Sequence, residues 1–234
     1  MKYLADHEIT LTRKIRLIIG TDEENGWRDL PRYFEVEGEP TMGFSPDGAF
    51  PVVNGEKAFQ TVQLRFANQT TGDYVLRRFI AGSRPNVVPG EARARVSVPN
   101  PVQVQNEFAT YLAQYPFLSG QSAVRDQEVR LLLKGVQAHG AYPQDGENAG
   151  TYLANFLRRF AFNADAKTFL DFIGRVVHDD IGAENLGLRY HDDVMGDLTL
   201  NVGVMRFSQN GQGTILLNFR YPQGVNVQAV TTQV

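Results

Sequence analysis

The stretch Ala92–Val98, with the sequence ARARVSV, decides the fold class of the central part of this chain. It alternates Ala, Ala, Val and Val with Arg, Arg and Ser, and a period of two predicts a strand that buries one face. Pro99–Pro101 (PNP) ends this strand and predicts a helix over 102–115. The segment Glu128–Val136 (EVRLLLKGV) alternates in the same way. Half-buried strands on either side of a helix indicate an α+β domain.

The same kind of pattern extends over residues 56–222, which we predict to form one α+β domain. We expect ferredoxin-like βαββαβ-type sheets with helices on one face. The further predicted strands are Thr61–Phe66, Tyr74–Ile80, Leu198–Phe207 and Thr214–Phe219, the last two as a hairpin, and the further predicted helices are Asn148–Phe162 and Ala166–His178.

The first 55 residues have a different pattern, which predicts part of an α/β layer. Met1–Glu8 is typical of the end of a helix, and Lys14–Gly20 (KIRLIIG) is typical of a buried strand. A lone buried strand is marginal in water, so residues 1–55 are expected to be a piece of a larger sheet. Gly224 and Asn226 predict a helix that has barely begun at the last residue, so we expect residues 223–234 to return to that layer. The chain is therefore expected to be an internal fragment of a larger protein.

Composition excludes several classes of function. Of the 234 residues, 42% are hydrophobic and 21% are charged, which is ordinary for a globular protein. The net charge of −3 gives no reason to expect nucleic acid or a membrane as a partner. No signal peptide and no apolar run of membrane-spanning length is present, so a soluble cytoplasmic protein is expected. Because there is no cysteine, a metal site must use His, Asp or Glu.

Two acidic segments are candidates for metal chemistry. Glu23 and Glu24 follow Asp22 directly after the apolar run, where ligand crevices open in α/β sheets. Adjacent carboxylates repel each other, so a cation would stabilise them. Asp47 lies between Pro and Gly in FSPDGAFP and is held in a fixed turn. Taken alone, the first segment is better explained as a solvated acidic loop and the second as an ordinary turn.

Three further residues are candidates for contact with a substrate. His139, between small residues in AHGAYP, is predicted to be accessible at a strand end and able to donate to a developing negative charge. Asn86 offers an amide donor in the proline-bounded loop RPNVVP. Arg220, in FRYP, has the geometry to bind a carboxylate through two hydrogen bonds. A surface or structural role explains each of them as well.

Two His-Asp-Asp triplets also resemble carboxylate–imidazole metal sites. They are His178–Asp180 and His191–Asp193. The first lies at the end of a predicted helix, where a histidine is favoured by the helix dipole. We expect both triplets to be solvated helix-end and turn residues.

Taken together and in order, five segments resemble peptidase V, the Xaa-His dipeptidase or carnosinase-like branch of the dinuclear zinc exopeptidases. They are GTDEENGW, FSPDGAFPVVNGEK, RPNVVP, AHGAYPQDGENA and LNFRYPQG. The resemblance implies that Glu23 is the general base and that Glu24 and Asp47 bind metal. It also implies that His139 and Asn86 act at the scissile carbonyl and that Arg220 holds the C-terminal carboxylate of the substrate.

The resemblance further implies a dipeptide substrate, two zinc ions in the intact enzyme and a monomer in which residues 56–222 form a lid. Manganese or cobalt would suit the same ligand types. Other metal ligands of that family have no match here, so the isolated chain is expected to bind zinc weakly and to hydrolyse little. The alternatives are an amidohydrolase that acts on N-acyl amino acids and a lid or dimerisation module without catalysis.

Overall fold

The structure is a computed structural model that describes residues 2–23, 26–45, 51, 53–69, 71–209 and 211–234. The chain divides into two compact units, residues 1–53 and residues 54–234. The roles assigned above to 1–55, 56–222 and 223–234 stay predictions. No helix in the described ranges is both long enough and apolar enough to cross a bilayer.

The first unit contains two helices, α1 (Lys2–Asp6) and α2 (Asp29–Glu37). The helix α1 agrees with the prediction for Met1–Glu8, whereas α2 was not predicted. Asp29 opens α2, and its carboxylate accepts hydrogen bonds from the backbone N–H groups of Thr21 and Asp22. These bonds favour the charged carboxylate and lower the pKa of Asp29. The first turn of α2 is thereby tied to the end of the apolar run.

The prediction of a buried strand at Lys14–Gly20 is wrong. The segment is irregular, and Ile15, Leu17 and Ile19 are exposed. A strand satisfies its backbone N–H and C=O groups through a neighbouring strand. The described part of this unit contains no strand that could serve as that neighbour.

The second unit is built on a seven-stranded antiparallel sheet with the strand order β1-β11-β10-β2-β4-β6-β5. Two short ladders, β3–β7 and β8–β9, accompany it. The strands are β1 (Ala58–Phe66), β2 (Val75–Ala81), β3 (Val87–Val88), β4 (Glu91–Ser97), β5 (Ser119–Arg125), β6 (Glu128–Lys134), β7 (Ala138–His139), β8 (His191–Asp192), β9 (Gly196–Asp197), β10 (Thr199–Ser208) and β11 (Gly213–Tyr221).

Four helices of this unit are α3 (Pro101–Ala113), α4 (Ala149–Leu157), α5 (Ala164–Asp171) and α6 (Val227–Gln233). A π-helical turn at 172–176 follows α5, and short 3-10 turns lie at 143–145 and 184–186. The helix predicted at 148–162 ends earlier, at Leu157, and the helix predicted at 166–178 is split by the π turn. Asn100, Asn148 and Asn163 cap the N-termini of α3, α4 and α5 through their side chains.

The core lies between the sheet and the helices α3, α4 and α5. The strand β4 confirms the prediction at Ala92–Val98, because Ala92, Ala94 and Val96 are buried while Arg93 and Arg95 point to the opposite face. Phenylalanines from both layers fill the core, among them Phe79, Phe108, Phe156, Phe169, Phe207 and Phe219. The sheet face that points away from these helices is called the open face below.

Candidate functional site

A loop formed by residues 82–90 crosses the open face above β10. Gly82 has a φ of +67°, and an added Cβ there would collide with the carbonyl oxygen of Gly203. An added Cβ at Gly203 would lie 2.6 Å from the Cα of Pro85. The register of β10 against β11 also shifts between Val202 and Val204. This bulge and the two glycines therefore let the loop lie directly on the strand.

Asn201 fixes the loop on both sides of Asn86. Its Nδ2 atom donates to the carbonyl oxygen of Pro85 at 2.7 Å and to that of Val87 at 3.0 Å. Asn201 is only 2% exposed, so these hydrogen bonds are shielded from water. Asn86 itself is half-buried, and within the described part of the chain its side-chain amide has no hydrogen-bond partner. The loop therefore presents the amide of Asn86 as a free donor.

His139 lies beside Asn86 through the short ladder of β3 and β7. Val87 pairs with His139, and the N–H of Gly140 donates to the carbonyl oxygen of Asn86 at 2.7 Å. An added Cβ at Gly140 would lie 2.8 Å from the carbonyl carbon of Asn86 and 2.9 Å from Nδ2 of Asn201. Only glycine permits so close an approach, and it brings the two predicted residues together.

The ring of His139 is exposed and oriented by its own loop. Its Nδ1 atom accepts a hydrogen bond from the backbone N–H of Ala141 at 3.1 Å. In the neutral imidazole the hydrogen is then assigned to Nε2. This tautomer directs one donor away from the ladder. The prediction that His139 is accessible at a strand end is confirmed.

Arg220 lies on β11 between two neighbouring strands. It pairs with Phe59 on β1 and with Thr199 on β10. The guanidinium carbon lies 4.8 Å from the centre of the Phe59 ring. The Nε atom of Arg220 and the Oγ1 atom of Thr199 are both buried, and neither has a hydrogen-bond partner among the described residues. Buried polar atoms without partners are rare, so these two atoms are exceptions to the hydrogen bonding of the described residues.

Arg220 and the residue that holds the Asn86 loop lie on the open face of two neighbouring strands. On β10 and β11, Asn201 pairs with Asn218, two residues from the pair of Thr199 and Arg220. Residues two apart on a strand lie on one face, and diagonal neighbours are about 7–8 Å apart. Arg220 is therefore a near neighbour of Asn201, which holds the Asn86 loop. The structure thus places the Asn86 loop, with His139 paired beside it, next to the strand that carries Arg220.

Thr199 and Asn201 were not predicted as site residues from the sequence. A signal for them was present, because polar residues recur two apart within the apolar stretches LTLNVGV and ILLNFRY. In a strand whose two faces are both buried, polar side chains two residues apart lie on the same face, and they indicate that this face contacts polar partners. The predicted hairpin made these two stretches neighbours but did not give their register.

The predicted metal site is only partly within the described residues. Glu23 is exposed in the first unit, whereas Glu24 and Asp47 lie outside the described residues. Asp22 accepts hydrogen bonds from the backbone N–H of Arg28 at 3.0 Å and from its Nε at 2.8 Å, which lowers the pKa of Asp22. This carboxylate of the acidic cluster therefore shapes the loop. No group of three potential metal ligands occurs in the ranges that the structure describes.

The two His-Asp-Asp triplets have structural roles, but the prediction that they are solvated is wrong for His178 and Asp180 of the first. His178 packs edge-on against Tyr152 at 4.6 Å, and burial lowers the pKa of its imidazole. Asp180 is buried and accepts from the N–H groups of Glu184 and Asn185, both at 2.8 Å. In the second triplet, Asp192 closes a turn by accepting from Met195 at 2.7 Å. These carboxylates satisfy backbone donors.

Comparison with known proteins gives consistent names. No family model matches the chain. Over 228 residues it is 41% identical to a Staphylococcus haemolyticus protein that is provisionally named a dipeptidase, with 95% of this chain and 48% of that protein covered. It is 38% identical over 223 residues to the Beta-Ala-Xaa dipeptidase of Lactobacillus delbrueckii subsp. lactis, with 95% and 47% covered. A Staphylococcus aureus protein, also provisionally named a dipeptidase, is 40% identical over 229 residues, with 96% and 49% covered.

The similarity to proteins named dipeptidases therefore runs through nearly all of this chain, including the segments that carry Asn86, His139 and Arg220. The chain spans about half the length of the curated relatives it matches.

Proposed function

We propose that this chain is the substrate-recognition part of a metal-dependent dipeptidase of the peptidase V type. One observation carries the proposal. The loop that carries Asn86, with His139 paired beside it, is held on β10, and the neighbouring strand β11 carries the guanidinium of Arg220. A short peptide with a free C-terminus needs these two kinds of contact, and the relatives are named dipeptidases.

The recognition step follows from the chemistry of these side chains. The guanidinium of Arg220 binds the C-terminal carboxylate through two parallel N–H donors. Asn86 and the Nε2–H of His139 donate to the oxygen of the scissile carbonyl as negative charge develops on it. One such donor contributes about 3–4 kcal/mol to transition-state stabilisation. A fixed distance between the two groups selects short peptides.

The proposal assigns the proton transfers to Glu23. Its carboxylate takes the proton of the attacking water and then delivers a proton to the leaving amine. Glu24 and Asp47 are the residues that would hold zinc, and zinc held there would supply a lowered pKa, towards about 7, for the attacking water. Carboxylate oxygens suit zinc, manganese and cobalt. Since a catalytic zinc usually has three protein ligands, these two residues require further donors.

The experiment measures hydrolysis and binding of dipeptides, including β-Ala-His, by the purified chain with added zinc or manganese. N-acetyl amino acids form a second set of substrates. Glu23→Gln serves as the catalytic control, because it keeps the shape of the side chain and removes the base.

Turnover of dipeptides that disappears in Glu23→Gln would support the proposal in full. Dipeptide binding without turnover would show that the chain recognises the substrate but does not hydrolyse it. This outcome is expected if Glu24 and Asp47 are the only protein ligands of the zinc. A preference for N-acetyl amino acids would favour the amidohydrolase instead. A folded chain that neither binds nor hydrolyses any dipeptide would refute the proposal.

A further inference from the structure

We propose that four arginines on the open face form a binding site for a small molecule that carries a phosphate monoester. They are Arg78 on β2, Arg93 and Arg95 on β4, and Arg130 on β6. They line a groove of about 450 Å³, which is within the usual size range of small-molecule sites. The groove lies over β2, β4, β6 and β5, so none of its residues belongs to β10 or β11, the strands that carry Asn201 and Arg220.

Three of these arginines lie directly opposite one another across the sheet. Arg95 pairs with Arg78 on one side and with Arg130 on the other. Like charges at directly opposed positions of neighbouring strands destabilise a sheet. The chain as a whole has a net charge of −3, so this face concentrates positive charge in an acidic protein. The row therefore costs free energy unless an anion lies beside it.

Two carboxylates compensate only part of this charge. Glu128 lies 2.7 Å from Nη2 of Arg95 and 2.9 Å from Nε of Arg130, and Glu91 lies 2.8 Å from Nη2 of Arg93. The four positive and two negative charges leave a net charge of +2 at the groove. The cross-strand partners of the two carboxylates add further positive charge, and they are Arg125 and Lys134.

Arg78 is the arginine of the row whose charge stays uncompensated. It is exposed, and within the described residues its guanidinium has neither a hydrogen-bond partner nor an ion pair. Arg206, on the neighbouring strand β10, is already occupied, because it donates to the carbonyl oxygens of Ala81 and Gly82. Burial is the main cause that lowers the pKa of Arg206, and the charge of Arg78 lowers it further. Arg78 is therefore the donor that is left for an external anion.

A phosphate monoester matches the charge and the spacing of these groups. At pH 7 it carries a charge of about −1.5 to −2 and three acceptor oxygens, and arginine binds phosphate through two parallel N–H donors. A carboxylate has only two oxygens and one charge, which leaves more of the row unsatisfied. The groove is larger than one phosphate group, and the half-buried side chains of Ile80 and Leu132 also line it. These two side chains contact the uncharged part of the ligand.

The test measures dissociation constants by calorimetry at low salt, where such contacts are least screened, and it uses the full 234-residue chain. The probes are phenyl phosphate, inorganic phosphate, benzoate and a short peptide that contains phosphoserine. The variants are Arg78→Gln and Leu132→Ala. Arg175→Gln is the matched control, because Arg175 is also exposed and without an ion pair among the described residues but lies in the π-helical turn after α5. Urea titration measures the stability of each variant.

We expect phenyl phosphate to bind at least about tenfold more tightly than benzoate. Arg78→Gln should weaken the binding of both phenyl phosphate and inorganic phosphate by about tenfold. Leu132→Ala should weaken phenyl phosphate by about threefold and leave inorganic phosphate unchanged. Arg175→Gln should change neither. Since Arg78→Gln removes a like-charge pair, this variant should be at least as stable as the unmodified chain.

The inference is overturned if the folded chain does not bind phenyl phosphate, or if it binds benzoate equally well. It is also overturned if Arg78→Gln binds phenyl phosphate as the unmodified chain does, or if that variant loses stability, which would give Arg78 a structural role. Tighter binding of the phosphoserine peptide than of phenyl phosphate would overturn the assignment to a small molecule. None of these results depends on dipeptide binding or hydrolysis, so they are distinct from a failure of the proposed function.

Discussion

The side-chain amide of Asn201 donates a hydrogen bond to the carbonyl oxygen of Pro85 at 2.7 Å, from a strand to the loop above it. The same nitrogen reaches the carbonyl oxygen of Val87 at 3.0 Å. Asn201→Asp would place an acceptor against these two acceptors. We expect the free energy of unfolding to fall by about 3 kcal/mol, because two buried carbonyl groups lose their donor. Urea titration measures the loss.

Asn185→Asp is the matched control for that variant. The Nδ2 atom of Asn185 also donates to a backbone carbonyl, that of Val176 at 2.9 Å, but the residue is exposed. Water replaces an exposed donor, so this variant should lose less than about 1 kcal/mol. Equal losses in the two variants would show that Asn201 does not anchor the loop.

Gly140→Ala should separate Asn86 from His139, the two donors of the proposed recognition site. The new methyl group would lie 2.8 Å from the carbonyl carbon of Asn86, so the ladder of β3 and β7 would have to open. We expect a loss of about 2 kcal/mol in unfolding free energy and weaker dipeptide binding. Gly182→Ala is the control, since its nearest neighbour would be an exposed side-chain carbon at 3.6 Å. Similar effects in both variants would contradict the close approach as the cause.

His139→Gln should impair catalysis without impairing folding. The ring is exposed, and its one hydrogen bond within the described residues is the 3.1 Å bond from Ala141, so little stability depends on it. In any protein that contains this chain and hydrolyses dipeptides, we expect kcat to fall by about 100-fold or more. Steady-state kinetics and a urea titration measure the two effects. An unchanged kcat would remove His139 from the reaction.

Acidification should destabilise the second unit through His178. Burial, the largest cause, lowers the pKa of this imidazole; Arg158 lowers it further, and Asp179 opposes the shift. Below the ordinary histidine pKa of about 6.5, the unfolded chain therefore binds a proton that the folded chain does not. Stability should then fall as pH drops through this region, with a slope of at most about 1.4 kcal/mol per pH unit.

The variant His178→Gln tests this assignment. Urea titrations between about pH 5 and about pH 7.5 should show a smaller slope for the variant than for the unmodified chain. Asp171 and Glu128, whose pKa values are lowered by neighbouring cations, titrate below this window. An identical slope in both proteins would assign the pH dependence to another group.

Much of the second unit could be predicted from its sequence, because the alternation of apolar and polar residues is a local pattern. Alternation identified β4 and β6, and the apolar stretches around Ser208–Gly213 identified the hairpin of β10 and β11. The strand β5 was missed, because Ser119–Arg125 (SGQSAVR) is a polar edge strand with little alternation. The apolar run at Lys14–Gly20 led to a wrong prediction for the opposite reason. Its composition indicates a strand, but a strand forms only where a neighbouring strand pairs with its backbone.

The candidate site was predictable only residue by residue. Proline and glycine around Asn86 and His139 indicated fixed loops, and the exposure of His139 was correctly expected. That the two loops meet depends on Gly140 and Asn201, whose partners are distant in sequence, so no local pattern predicts it. The pairing of Arg220 with Thr199 likewise depends on the register of the hairpin.

Alternate residues of the same strands point to the open face and to the helix-covered face of the sheet, so they have different roles. Along β11, Phe219 and Leu217 are buried in the core, while Asn218 and Arg220 point to the open face. Substitutions at every second position can therefore alter which ligand is accepted while the packing that holds the domain together is conserved. Such a separation lets a lineage explore new substrates through single mutations without first losing its fold.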